Sequence, residues 1–185
     1  MVLIIVSAAA IALLLWGVLS FNRFVLLRNQ VKAAWADIDV QLRRRHDLVP
    51  NLVAAVEGYA GHEKASFELV TELRAQALSL NDRQKLGEVE TRLQGGISRL
   101  LALQEAYPDL KASENFAALQ RDLVEIEDHL QYARRFYNGS VRDFNTLLER
   151  VPDLIVGRAF GFAREEFFQA DASEREAPAV GGLKG

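Results

Sequence analysis

Three histidines and a scatter of serines are the places where this 185-residue chain could do chemistry. Helical proteins hold paired metals with Glu-x-x-His units, in which a carboxylate and an imidazole share one helix face. His129 has Glu125 four residues before it, but Ile126 stands where such a unit needs its acid. His46 and His62 have no suitably spaced acid on the preceding turn either. The absence of cysteine removes disulfides, thiolate zinc sites and a thiol nucleophile. A serine nucleophile needs a neighbouring base that is itself oriented. Ser66, Ser98 and Ser140 are dispersed, with no nucleophile elbow and no Gly-rich phosphate loop. No catalytic residue, cofactor-binding residue or metal ligand is therefore expected, and the chain reads as non-enzymatic with no cofactor.

Two other patterns stand out. Arg43, Arg44, Arg45, His46 and Asp47 form a basic cluster that stops at an acid. It is either a solvated turn or a charged tip that pairs with acidic residues of another copy or another protein. Arg134 and Arg135 stand beside Phe136 and Tyr137. Two successive rings cannot both enter one narrow core, so one of them meets a second copy or a returning C-terminal segment. A net charge of −3 and basic residues dispersed among acids give no footprint for nucleic acid.

The elements that must position these groups begin with an apolar run. No side chain from Met1 to Asn22 is charged, and VLIIVSAAAIALLLWGVLSF matches the roughly 30 Å of a bilayer core. There is no Lys or Arg ahead of it and no small-residue cleavage site behind it, which favours a retained anchor over a signal peptide. Trp16 and Phe21 suit the headgroup zone, and Arg23, Arg28 and Lys32 follow at once. The positive-inside rule then puts the N-terminus outside and the body in the cytoplasm.

Val31, Trp35, Ile38 and Leu42 recur at helical seam spacing. Pro50 in mid-helix would cost about 3 kcal/mol. With Asp47 as an N-cap it falls instead in a first turn, where its missing N–H has no partner to lose. Residues 45–47 are therefore expected to form a tight turn, the rival being one kinked helix that continues to Gly61. A second helix is expected from Leu48 to Leu80, weakened by Gly58 and Gly61. A third is expected from an Asn81 or Asp82 cap through Leu86, Leu93, Ile97 and Leu100, weakened by Gly95 and Gly96. A fourth is expected from Ser113 to about Arg150, with Phe116, Leu123, Leu130, Tyr137 and Phe144 on its apolar stripe.

The fold class that follows is all-α, an N-terminal transmembrane helix followed by an antiparallel up-and-down four-helix bundle with long helices. The expected divisions are an anchor at 1–22, a bundle at 23–156, an aromatic segment at 157–170 and a flexible tail at 171–185. In that topology the fourth helix ends facing the lipid. Phe160, Phe162, Phe167 and Phe168, beside Arg158 and Arg164, then either cap the bundle or meet the membrane interface.

The ordered motifs RNQVKAAWADIDVQLRRRHDLVPNLV, GYAGHE, AYPDLKASENFAALQ, ARRFYNGSVRDFN and FGFAREEFFQA make the chain resemble the LemA family from about Phe21 to Val180. The resemblance implies a bacterial, single-pass protein of the cell (inner) membrane carrying a helical bundle. It brings no enzymatic activity, only an association with envelope physiology and, in some members, with membrane organelle formation. His46 departs from the pattern at a position where an aromatic residue, often Tyr, is expected, and Gly95 and Gly96 loosen the third helix. The function expected is a non-enzymatic, membrane-anchored scaffold that is homo-oligomeric through coiled-coil-like contacts of its bundle. The alternatives are a regulatory adaptor of a membrane protease or envelope sensor, and a lipid-remodelling protein. The partners expected are membrane lipid, further copies of the chain and, for an adaptor, a membrane protein.

Overall fold

The computed structural model describes residues 1–80 and 82–168. Asn81, the end of the aromatic segment at 169–170 and the expected flexible tail at 171–185 lie outside the described residues. These form helices and no strand: α1 (Val2–Glu57), α2 (Lys64–Ser79), α3 (Arg83–Ala102), a 3₁₀ turn (Leu103–Glu105), α4 (Pro108–Lys111), α5 (Glu114–Glu149) and α6 (Asp153–Ala159). The N-terminal part of α1 is long and apolar enough to cross a membrane, and its apolar window buries nothing against the rest of the chain.

The expected turn at residues 45–47 does not form. α1 runs unbroken through it, with Pro50 inside the helix. Proline normally breaks a helix because it leaves the carbonyl four residues earlier without a donor. Here that carbonyl belongs to His46, and the Arg74 Nε–H of α2 donates to it at 2.7 Å. With that carbonyl satisfied, the part of the penalty that comes from an unpaired acceptor is removed, and the rival single helix prevails. The break comes at the two glycines instead. Tyr59 and Ala60 donate to the Val56 carbonyl at 3.0 and 2.8 Å, and the chain leaves α1 between Gly58 and Glu63. The expected helix from Leu48 to Leu80 is thus the end of α1 plus α2.

Two caps fall where the sequence places them. The Asp82 carboxylate accepts from the Gln84 and Lys85 N–H groups, and the Ser113 hydroxyl accepts from the Phe116 N–H.

The chain folds into two compact units. The first contains Met1–Val40 and Gln131–Phe167, and the second contains Gln41–Leu130 with Phe168, so α1 and α5 each contribute to both.

In the second unit, Val49, Leu52 and Val56 of α1 share one core with Phe67, Val70 and Leu73 of α2, Leu93, Ile97 and Leu100 of α3, and Leu110, Phe116 and Leu123. The adjacent glycines of α3 differ in kind. A Cβ at Gly95 would meet nothing within 4 Å, whereas one at Gly96 would stand 2.7 Å from Val70 Cγ2. Gly95→Ala is expected to stabilise the chain by up to about 1 kcal/mol. Gly96→Ala is expected to destabilise it by about 1–2 kcal/mol, and by less in a Val70→Ala background. Urea unfolding of the full chain in detergent, followed by circular dichroism, checks both. Equal effects at the two glycines would contradict the close packing of α2 on α3.

In the first unit, the fully buried Phe24 of α1 stacks on Phe162 at 4.8 Å and meets Phe144 of α5 edge-on at 6.1 Å. Trp35 meets the buried Tyr137 edge-on at 5.4 Å. α6 ends in a Schellman turn. The Phe162 N–H reaches the Gly157 carbonyl, the Gly161 N–H reaches that of Arg158, and Gly161 takes φ +68°, which favours glycine. That turn redirects the chain so that Phe162 lands on Phe24.

Candidate functional site

The basic cluster of α1 divides by helix register. Arg43, Arg44 and Asp47 are exposed, whereas Arg45 and His46 are only 1% and 4% exposed. The two buried residues therefore do not crown a tip. They are built into the second unit, where Arg45 Nη1 pairs with Glu90 Oε2 of α3 at 3.3 Å and Nη2 pairs with Glu127 of α5. His46 Nε2 lies 2.6 Å from Glu90 Oε1, and the Arg74 bond to the His46 carbonyl adds α2. His46 Nδ1 is buried without a hydrogen-bond partner.

One polar cluster thereby ties α1, α2, α3 and α5 together within this unit. Carboxylates on two helices face a guanidinium whose planar fork can serve both, the geometry for which arginine is better suited than lysine. Removing charges from water is costly, so the net stability such a cluster adds is small, whereas removing one partner and leaving the others buried is expensive. Among the described residues, no group of three or more acids and histidines is placed to hold a metal. His62 and His129 are exposed, the latter 3.6 Å from Glu125 on its own helix.

The aromatic positions fall in the first unit, apart from Phe168. Tyr137 is buried as its stripe requires, and its hydroxyl donates to the Glu166 carbonyl at 2.8 Å. Phe136 is 44% exposed, and Tyr132, one turn earlier, is 66% exposed. Arg135 between them is exposed, and Arg134 is half-buried.

The C-terminal segment is held as a strap. The Asn145 side chain donates to the Glu165 carbonyl at 2.9 Å and accepts from its N–H at 3.0 Å, and the Arg28 guanidinium lies over the Phe162 ring. Phe162 is half-buried and Phe168 fully buried, while Phe160 and Phe167 are exposed, and Trp16 and Phe21 are half-buried.

Sequence reasoning missed Glu90, Arg74, Glu127, Tyr132 and Asn145. A signal existed for the first. Leu86, Glu90, Leu93 and Ile97 keep the apolar spacing of α3, so Glu90 occupies a core position.

These features define an all-α protein with one apolar helix able to cross a membrane, a polar knot inside one helical unit and no catalytic constellation among the described residues. The LemA family model matches residues 34–181, and the chain belongs to that family. It is similar to the magnetosome protein MamQ 2 of Paramagnetospirillum magneticum, at 26% identity over 91% of this chain and 71% of that protein. It is similar also to the magnetosome protein MamQ of Magnetospirillum gryphiswaldense, at 24% identity over 80% of this chain and 64% of the relative. The protein LemA of Metamycoplasma hominis shares 27% identity over 83% of this chain and 71% of its own length.

Proposed function

We propose that the chain is a non-enzymatic, single-pass membrane scaffold that self-associates through the outer face of α5 in its first unit. The observation that carries this is the pair Tyr132 and Phe136, two rings one turn apart on a long helix, both turned outward while their neighbour Tyr137 is buried. Rings left in water at adjacent positions lose little on meeting a second copy and gain apolar contact. Anchoring through α1 confines copies to a plane and raises their effective concentration, so modest side-to-side contacts suffice. Arg23, Arg28 and Lys32, following the apolar run, favour a cytoplasmic body on the inner face of a bacterial cell membrane. Relatives named for a cell structure, the magnetosome, rather than for a reaction support a non-catalytic part.

The chain has no cysteine, so Arg135→Cys places one thiol on this face. Oxidation in native membranes is expected to yield covalent dimers of the chain. Phe136→Asp in the same background should lower their yield by about tenfold, the equivalent of about 1.4 kcal/mol of contact. A stoichiometric foreign partner in place of a second copy would identify an adaptor of a membrane protein and overturn self-association.

A further inference from the structure

We infer that α6 and the turn after it form a second membrane contact, an interfacial foot that rests on the acidic headgroups of the bilayer in which α1 is embedded. The inference rests on the anchor in the proposed function and not on self-association.

The position of α6 is fixed by its contacts with α1. The Ser20 hydroxyl, itself buried, donates to Asp153 Oδ1 at 2.6 Å. The Phe160 ring lies 4.8 Å from that of Phe21, and a Cβ at Gly157 would come within 3.1 Å of Phe24. These contacts all fall on residues 20–24, which rise only about 6 Å along the helix. They begin where the uncharged run ends, so the foot sits at the depth of the headgroups and upper acyl chains.

At that depth the exposed surface has the chemistry of an interface. Val151 is 75% exposed, Ile155 65% and Phe160 63%. Ile155 and Arg158 stand three residues apart, which sets them on one side of α6, and Val151 lies in the turn just before that helix. Arg23 and Arg158 are exposed and make no ion pair among the described residues. Bulky apolar side chains at headgroup level, flanked by unpaired guanidinium groups, match a lipid surface that is negatively charged above and apolar below.

The test uses the full chain in phosphatidylcholine–phosphatidylglycerol vesicles, spin-labelled at Ile155→Cys. Ala8→Cys in the apolar run serves as the lipid reference and Glu68→Cys, at an exposed position of α2, as the aqueous one. Accessibility to oxygen and to a water-soluble nickel chelate reads the depth. The Ile155 label is expected to behave as the Ala8 label does, and Arg158→Gln should lower the membrane-docked fraction by about fivefold. A label at Ile155 that behaves as at Glu68, with the one at Ala8 in lipid, would overturn the foot and leave the anchor standing. An aqueous Ala8 label would overturn both. Shielding of Ile155 that vanishes when the protein is diluted in lipid would assign the patch to a second copy and overturn the inference.

Discussion

Glu90→Ala is expected to lower the stability of the chain by about 3–5 kcal/mol, more than an ordinary apolar truncation would lead one to expect from a glutamate. Glu90 is 0% exposed and receives both Arg45 and His46. Its removal leaves the Arg45 guanidinium, 1% exposed, with only Glu127, and leaves His46 Nε2 without an acceptor alongside an already unpartnered Nδ1. The penalty is that of a buried charge stripped of a partner, not the small net worth of the pair. Arg45→Ala with Glu90→Ala should therefore cost clearly less than the sum of the two single changes. Urea denaturation of the detergent-solubilised chain measures the cycle. Additive effects, or a Glu90→Ala variant within about 0.5 kcal/mol of the parent as at an ordinary surface site, would show that the cluster is not closed as described.

Phe24→Ala should be comparably damaging in the first unit, by about 3–5 kcal/mol. Phe24 is fully buried, stacks on Phe162 and lies against Phe144 and Gly157, so one truncation empties the place where strap, α5 and α6 meet α1. Its loss should also loosen the strap, since Phe162 loses the ring on which it stacks. Faster amide exchange over residues 160–167 is the readout. Leu26→Ala, at a position 66% exposed, should change stability by no more than about 0.5 kcal/mol and leave that exchange unchanged. Equal effects at the two positions would contradict the packing.

Much of this architecture was legible in the sequence because the apolar stripes carry their own register. On α5 the stripe through Phe116, Leu123 and Leu130 reaches Tyr137 and passes Phe136 by, which sends the first ring inward and the second out. On α1 the stripe Val31, Trp35, Ile38 and Leu42 continues by steps of three and four through residue 45 to Val49, Leu52 and Val56. Arg45 thus occupies a core position, but a run of basic residues looks like surface, and a local rule about proline argued for a break at that point. What rescues the helix is Arg74, 28 residues from His46, and no local pattern announces a donor that arrives from another helix. Glu90 shows the same limit. A charge on an apolar stripe signals a buried partner, but which partner depends on tertiary contact. The strap was legible as aromatic but not as clamped, since the Asn145 bonds are made to the backbone of Glu165, which carries no sequence signature.

The most direct measurement of assembly is the mass of the full chain in detergent by sedimentation across a wide concentration range, with Phe136→Asp run in parallel. A mass that climbs from one copy to several as concentration rises, and stays near one copy in the variant, is the predicted result. A single copy at every concentration for the parent chain would contradict a self-associating scaffold.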